Sequence, residues 1–371
     1  MPKNKTELQN NILKFIQKYA TTTAHENYEE DFNTLALEVF SYQFEHNFPY
    51  RKYAQSKFKT PLTVTSWEDI PSLPIQAFKN FDLSTVGLSD IEDIFTSSGT
   101  SDSQNRSKNY HPNFEVWDSS MKNGFKKYVL PDRENIQILS LFPGIESNPH
   151  SSLSRYVSQA VSFFGTADSH IFVDQDGIDY SSVVMEIQRA EKNNTSIMLL
   201  GASFSFVYLL DYLTRHHLTF FLSEKSIIFD TGGFKGKTRE INQDKFYNQI
   251  QEVFHIKRSQ IINMYGMTEV SSQCYDQNIL HASSNQPISY SKAAPAWVKI
   301  QILSFDTLQP VEKGERGLLA FYDLSNWNSC MAILTEDIAI QNDTGFVLQG
   351  RANGSESKGC SIALDELLQS L

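Results

Sequence analysis

Residues 226–236 read Ser226-Ile227-Ile228-Phe229-Asp230-Thr231-Gly232-Gly233-Phe234-Lys235-Gly236, and residues 261–269 read Ile261-Ile262-Asn263-Met264-Tyr265-Gly266-Met267-Thr268-Glu269. Each is a short apolar run that breaks into a polar turn containing glycine, and the segment between them reads as a helix. In open α/β sheets the carboxyl ends of such strands are where ligands bind. The turn residues suit a nucleotide. Gly232 and Gly233 carry no Cβ and let backbone come close to a flat ring. Tyr265 offers a stacking face. Thr268 supplies a hydroxyl, and Glu269 is a hard oxygen ligand of the kind Mg²⁺ takes.

Outward from this stretch, apolar positions alternate between two periods. Phe114, Trp117, Met121 and Phe125 mark a helix, residues 136–142 a buried strand, and Leu153, Val157, Val161 and Phe164 a further helix. Residues 171–173 and 196–200 read as strands with helices after each. The alternation predicts an α/β fold of mostly parallel sheets covered by helices. Beyond Gln273, residues 276–294 read as a polar loop, and the runs at 297–303, 317–322 and 331–334 suggest a small β subdomain. At the amino end, Leu8, Ile12, Phe15, Ile16 and Tyr19 share one helical face, Thr6 and Gln9 have capping-box spacing, and Phe32, Leu35, Val39 and Phe40 repeat the pattern. The expected organisation is a helical covering region over 1–80, a nucleotide-binding core over 81–285, a β subdomain over 286–350 and a polar tail over 351–371.

The 371 residues carry a formal net charge of −11 with no long basic run, which argues against a nucleic-acid surface. Cys274, Cys330 and Cys360 are scattered without metal-ligand spacing, a pattern of the reducing cytoplasm. No stretch is long and apolar enough for a membrane span. Lys14, Gln17 and Lys18 interrupt the first helix, so it does not read as a signal peptide. A cytoplasmic protein is expected.

Other strings carry candidate chemistry. Phe95-Thr96-Ser97-Ser98-Gly99-Thr100-Ser101 is a turn of small residues and hydroxyls, either an anion-holding nest or a solvated loop. Asp102 beside it is unfavourable for phosphate, and Arg106 or Lys108 would offset it. In 67–79, Pro71 and Pro74 forbid a continuous helix, and Lys79 is a salt-bridge partner or a cation for phosphate. His150 lies in a loop, where a lone histidine is usually a surface residue. Phe204, Phe206 and Tyr208 read as core, or as the surroundings of a chain left room by Gly201, Ala202 and Ser203. Thr335-Glu336-Asp337 and Gly350-Arg351 would make at minimum a surface ion pair.

Tyr265-Gly266-Met267-Thr268-Glu269 resembles the adenine-and-magnesium motif of the adenylate-forming superfamily, which holds acyl-CoA synthetases, luciferases and peptide-synthetase adenylation domains. Asp230 to Gly236 and Val270-Ser271-Ser272-Gln273 resemble one branch more closely, the acyl-protein synthetases (LuxE-type), ligase subunits of bacterial fatty-acid reductase systems. The resemblance runs from about Trp67 onward and implies the adenylate-forming large domain. In that reading Thr231, Gly232, Gly233, Tyr265, Gly266 and Met267 hold the adenine of ATP. Thr96, Ser97, Ser98, Gly99 and Thr100 form the phosphate loop. Thr268 and Glu269 place Mg²⁺, and Asp337 and Arg351 hold the ribose. Glu336 stands where most of the superfamily has glycine. Lys79 ends a similar signature string, and His150 falls where many relatives keep a histidine near the acyl carboxylate.

After Arg351 an acyl-CoA synthetase continues into a second, lysine-bearing domain, which is expected to be absent or truncated here. Gly359-Cys360-Ser361 instead resembles the string that carries the acyl group in acyl-protein synthetases. The implied function is an ATP- and Mg²⁺-dependent ligase that adenylates a fatty acid. Cys360 then takes the acyl group as a thioester and passes it to a partner such as a reductase or carrier protein. Two alternatives stay open: direct loading of CoA or a carrier protein, and a nucleotide-binding pseudoenzyme scaffold.

Overall fold

Short runs of β-branched residues that alternate with amphipathic helices bury both faces only when the strands lie between helices. The computed structural model of the protein, which describes residues 4–21, 28–97, 106–232 and 241–370, has this arrangement in one of two compact units. At residues 355, 357, 358, 360, 361 and 370 it describes the backbone alone. The units are discontinuous in sequence: Met1–Gly124, Met267–Cys274 and Ser291–Leu371 form one, and Phe125–Gly266 with Tyr275–Tyr290 the other.

In the second unit the strands Ile261–Tyr265, Ile227–Thr231, Ile197–Ala202, Gln137–Ser140 and His170–Ile171 are neighbours in that order, and every pairing is parallel. Ile197–Ala202, Ile227–Thr231 and Gln137–Ser140 are buried along their whole length. Helices Ser152–Phe164, Tyr180–Asn193, Ser203–Arg215 and Gln243–Phe254 each turn an apolar face inward. Leu199, Ile228, Phe206, Leu210, Ile187 and Ile250 belong to one core cluster. This is the helix-covered parallel sheet that the alternation predicted.

The first unit holds the β-rich part. Val298–Leu303, Arg316–Asp323, Ala332–Asn342 and Gly345–Arg351 form an antiparallel series that Lys292–Ala293 continues, and Leu73–Pro74 adds parallel to Ala332–Asn342. Helices Lys5–Tyr19, Glu29–His46 and Phe48–Ser56 belong to the same unit, and the second and the N-cap of the third bond directly to the β-rich part. Gln43 Nε2 donates to the carbonyls of Asn326 (2.8 Å) and Trp327 (3.0 Å), and Asn47 Nδ2 donates to that of Ser329 (2.8 Å). Among the described residues, no helix is long and apolar enough to cross a membrane.

Three local readings need correction. The first helix is capped by Asn4, whose Oδ1 accepts the Glu7 N–H at 2.9 Å, so Thr6 lies inside the helix rather than at its cap. Residues 276–294 are not all loop, because Asn278–Ser283 is a short helix. The polar tail is instead a 3-10 turn, Gly354–Ser357, running into the helix Lys358–Ser370. That helix packs on Phe48–Ser56, with an ion pair between Lys57 and Glu366. Gly359 is needed there because a Cβ would fall 2.5 Å from the Phe305 carbonyl oxygen.

Asp323 is fully buried, and burial raises its carboxyl to about 6, partly offset by hydrogen bonds from Ser272 and Ser325. A raised carboxyl pKa means that the folded state binds the proton more tightly, so this contribution is greatest at low pH and is lost as pH rises through 6. Relative to Asp323→Asn, the wild type should therefore lose about 2 kcal/mol of stability between pH 4 and 6 and change little above 7. Urea unfolding at a series of pH values measures this. Ile228→Ala, in a fully buried strand, should cost about 2–5 kcal/mol in the same assay at fixed pH.

Candidate active site

In the second unit, the strand ends rest on a buried carboxylate that sequence reasoning passed over. Asp230, 2% exposed, accepts hydrogen bonds from Ser203 Oγ (2.8 Å), Tyr247 Oη (3.1 Å) and Asn263 Nδ2 (2.8 Å). The three donors come from two helices and the neighbouring strand, so the carboxylate ties together the elements that frame the turn after Thr231. The Asp-Thr-Gly-Gly string could have pointed to it, since an acid closing an apolar strand must find donors.

Thr231 itself is buried, and its hydroxyl donates to the Met264 carbonyl at 3.1 Å. With the hydroxyl engaged inside the sheet, what Thr231 can offer to the turn expected to hold adenine is backbone. Gly232 is exposed with φ +70°, a left-handed conformation that disfavours any side chain. Gly233 lies outside the described residues. Tyr265 ends its strand half-buried, followed by exposed Gly266. His150 is exposed in the loop before Ser152–Phe164, and Phe206 is fully buried core while Tyr208 is 42% exposed.

In the first unit, motifs distant in sequence are brought together. Asp337 and Arg351 are directly paired across adjacent antiparallel strands. Arg351 Nε lies 3.3 Å from Asp337 Oδ1, and Nη2 lies 3.4 Å from Glu336 Oε2. Gly350, at φ +104°, accompanies the irregular register between these strands. The 67–79 string lies alongside: Leu73 and Pro74 pair with Ile333 and Leu334, the Ile75 N–H donates to the Leu334 carbonyl at 2.9 Å, and Gln76 Nε2 donates to Glu336. Glu336, which replaces glycine, thus has both a neutral and a cationic partner. Lys79 is exposed in Ala77–Asn80, with no ion pair among the described residues.

Thr96 pairs with Lys108 in a two-stranded ladder. Ser97 donates its N–H to the Ser107 carbonyl, and its Oγ accepts the Ser107 N–H, both at 3.0 Å. Ser98, Gly99 and Thr100 lie outside the described residues, as does Asp102. Met267 and Thr268 are half-buried, and Glu269 is 8% exposed. The Glu269 carboxylate has no hydrogen bond or ion pair among the described residues, which also contain no group of three metal-ligating side chains. A single buried carboxylate fits Mg²⁺, which commonly takes one or two protein oxygens and completes its shell with phosphates and water. The side chains of Asn109, Asp323 and Asn326 approach this segment from the same unit, and none was anticipated.

A family model, acyl-protein synthetase (LuxE), matches residues 3–369. A long-chain-fatty-acid–luciferin-component ligase of Aliivibrio fischeri is 26% identical over 356 residues, covering 93% of this chain and 90% of that protein. One from Vibrio harveyi is 24% identical over 339 residues, covering 88% and 85%. Among solved structures, an open conformation of 2-hydroxyisobutyryl-CoA ligase with its acyl-AMP and CoA gives a TM-score of 0.61 at 14% identity, covering 90% of this chain and 77% of that one. At that identity the likeness concerns the fold. The chain belongs to the acyl-protein synthetase family and has the mixed α/β fold of adenylate-forming ligases.

Proposed function

We propose that the protein is an ATP- and Mg²⁺-dependent acyl-protein synthetase for a long-chain fatty acid. Family and fold make it an acid–thiol ligase. A carboxylate oxygen of the fatty acid attacks the α-phosphate of ATP and pyrophosphate leaves, giving acyl-AMP. A cysteine thiolate then attacks the acyl carbonyl, AMP departs, and the acyl group is held as a thioester for a partner protein. The observation that supports this best is the register of Asp337 with Arg351, because it pairs the two motifs assigned to ribose, which are 14 residues apart.

In this reading Gly232, Gly233, Tyr265, Gly266 and Met267 take the adenine, with Thr231 acting through its backbone. Asp337 accepts from the ribose hydroxyls, and Arg351 holds Asp337 and reaches ribose or phosphate. Thr96, Ser97, Ser98, Gly99 and Thr100 meet the phosphates, with Lys79 as a further cation. His150 assists at the carboxylate. Thr268 and Glu269 hold Mg²⁺, which supplies neutralisation of phosphate charge. Burial raises the Cys274 and Cys330 thiols far above the usual range, so neither supplies a thiolate near neutral pH. That leaves Cys360 of the three cysteines.

Cys360 lies in a helix rather than on a loose tail, which favours as a second reading the direct loading of CoA or a carrier protein. Cys360→Ser separates the two. It should keep fatty-acid-dependent ATP–pyrophosphate exchange while losing the hydroxylamine-labile acyl adduct that intact-mass analysis finds on the wild type. Undiminished thioester formation on CoA by Cys360→Ser establishes the second reading instead. Arg351→Ala should raise the KM for ATP about tenfold or more in the exchange assay, the cost of losing charge-assisted hydrogen bonds.

A further inference from the structure

Residues 267–273 form neither helix nor strand, yet Val270, Ser271, Ser272 and Gln273 are at most 7% exposed. Buried backbone without a regular ladder must find hydrogen-bond partners elsewhere. Within the segment, Gln273 Nε2 donates to the Ser271 carbonyl at 3.0 Å and the Val270 N–H to that of Met267 at 3.4 Å; the other partners are three side chains from outside it. Asn109 Nδ2 donates to the Thr268 carbonyl at 3.0 Å, and Asn326 Nδ2 donates to the Glu269 carbonyl at 2.7 Å. Asn326 Oδ1 accepts the Ser271 N–H at 2.8 Å, and Asp323 Oδ2 accepts the Ser272 N–H at 2.8 Å.

Each of these side chains is itself fixed. Asn326 also donates to the Cys330 carbonyl at 3.1 Å and accepts from Ser271 Oγ, so both its donors and its acceptor oxygen are engaged. Asp323 accepts from Ser272 Oγ and the Ser325 N–H, each at 2.8 Å. Asn109, Asp323 and Asn326 are at most 2% exposed. At Thr268 and Glu269 the grip is on main-chain atoms only: the Thr268 hydroxyl and the Glu269 carboxylate are left without a hydrogen bond among the described residues.

Asn109 is the informative member. Its Oδ1 is buried with no hydrogen-bond partner among the described residues, so the amide is kept at a desolvation cost for the one bond to Thr268.

We propose that Asn109, Asp323 and Asn326 are positioning residues for adenylation. They clamp the main chain of 268–272 so that the Thr268 hydroxyl and Glu269 carboxylate stand ready for the metal and phosphates of Mg²⁺–ATP. This rests on the reading of the protein as an ATP-dependent ligase, and the test separates the two. ATP binding is followed by calorimetry with Mg²⁺ and with EDTA, alongside fatty-acid-dependent pyrophosphate exchange and thermal unfolding. Asn109→Ala should unfold within about 2 °C of wild type, since it deletes one bond and one unpaired acceptor together. It should bind ATP in EDTA as the wild type does, yet need about tenfold more Mg²⁺ for half-maximal exchange and lose most of the Mg²⁺-dependent gain in ATP affinity.

Asn342→Ala, which deletes a 2.7 Å bond to Ser291 in the same unit, should leave the Mg²⁺ dependence unchanged. Asn326→Ala should show the larger Mg²⁺ effect if it folds, and Asn109→Ala decides the matter if it does not. A wild-type Mg²⁺ dependence in Asn109→Ala overturns the proposal, as does a wild type that binds ATP equally with and without Mg²⁺. If the wild type binds Mg²⁺–ATP but exchanges pyrophosphate with no fatty acid, the ligase reading fails, and the calorimetric comparison still decides the role of the clamp.

Discussion

A buried main chain that follows no helix or strand has to be bonded by something, and this constraint governs the candidate active site. Residues 268–272 meet it with the side chains of Asn109, Asp323 and Asn326. The second unit solves a related problem by the opposite means: there the carboxylate of Asp230 sits at a strand end, and Ser203, Tyr247 and Asn263 converge on it. In both places the residues proposed to face a ligand are held by neighbours that need never touch one. Such support is what allows a loop to keep a defined geometry.

The Asp337–Arg351 pair belongs to the same logic at the surface. An exposed pair of this kind contributes little stability. Its interest lies in its surroundings. The strand Ala332–Asn342 carries Arg316–Asp323 along one edge and, along the other, both the short parallel strand Leu73–Pro74 and Gly345–Arg351, so the 67–79 string joins the Asp337 and Arg351 strings on one strip of sheet. Glu336 fits that strip because Gln76 and Arg351 both reach its carboxylate. Glu336 is thus tied to a partner in the 67–79 string.

Much of this was legible in the sequence where the information is local. Fully buried strands of four to six residues show as apolar runs, although Ile227–Thr231 and Ile261–Tyr265 run on through Asp230-Thr231 and Asn263 to Tyr265, which read as the start of their polar turns. The Asp337 and Arg351 motifs were also readable, because short strings carry them whole. Other features depend on partners far along the chain and leave no local trace. The Thr231 hydroxyl is taken by Met264 only because parallel pairing sets the two side by side. Nothing near Asn326 announces that its amide will bond to residues 269 and 271. The helix at Lys358–Ser370 was missed for a different reason: its first turn is glycine-containing and polar, and its packing on Phe48–Ser56 is tertiary.

The interleaving of the two units also bears on how the molecule is made. Gln43 finds its carbonyl partner 283 positions downstream, at Asn326, and Asn47 bonds to Ser329 in the same way. On the ribosome, Glu29–His46 and Asn47 therefore emerge well before the carbonyls they bond to have been translated. The Phe125–Gly266 stretch, by contrast, carries its parallel strands and covering helices in one nearly continuous piece. Nascent-chain order thus favours early collapse of the middle of the polypeptide, while its leading end waits exposed for the trailing one, a natural point of engagement for chaperones.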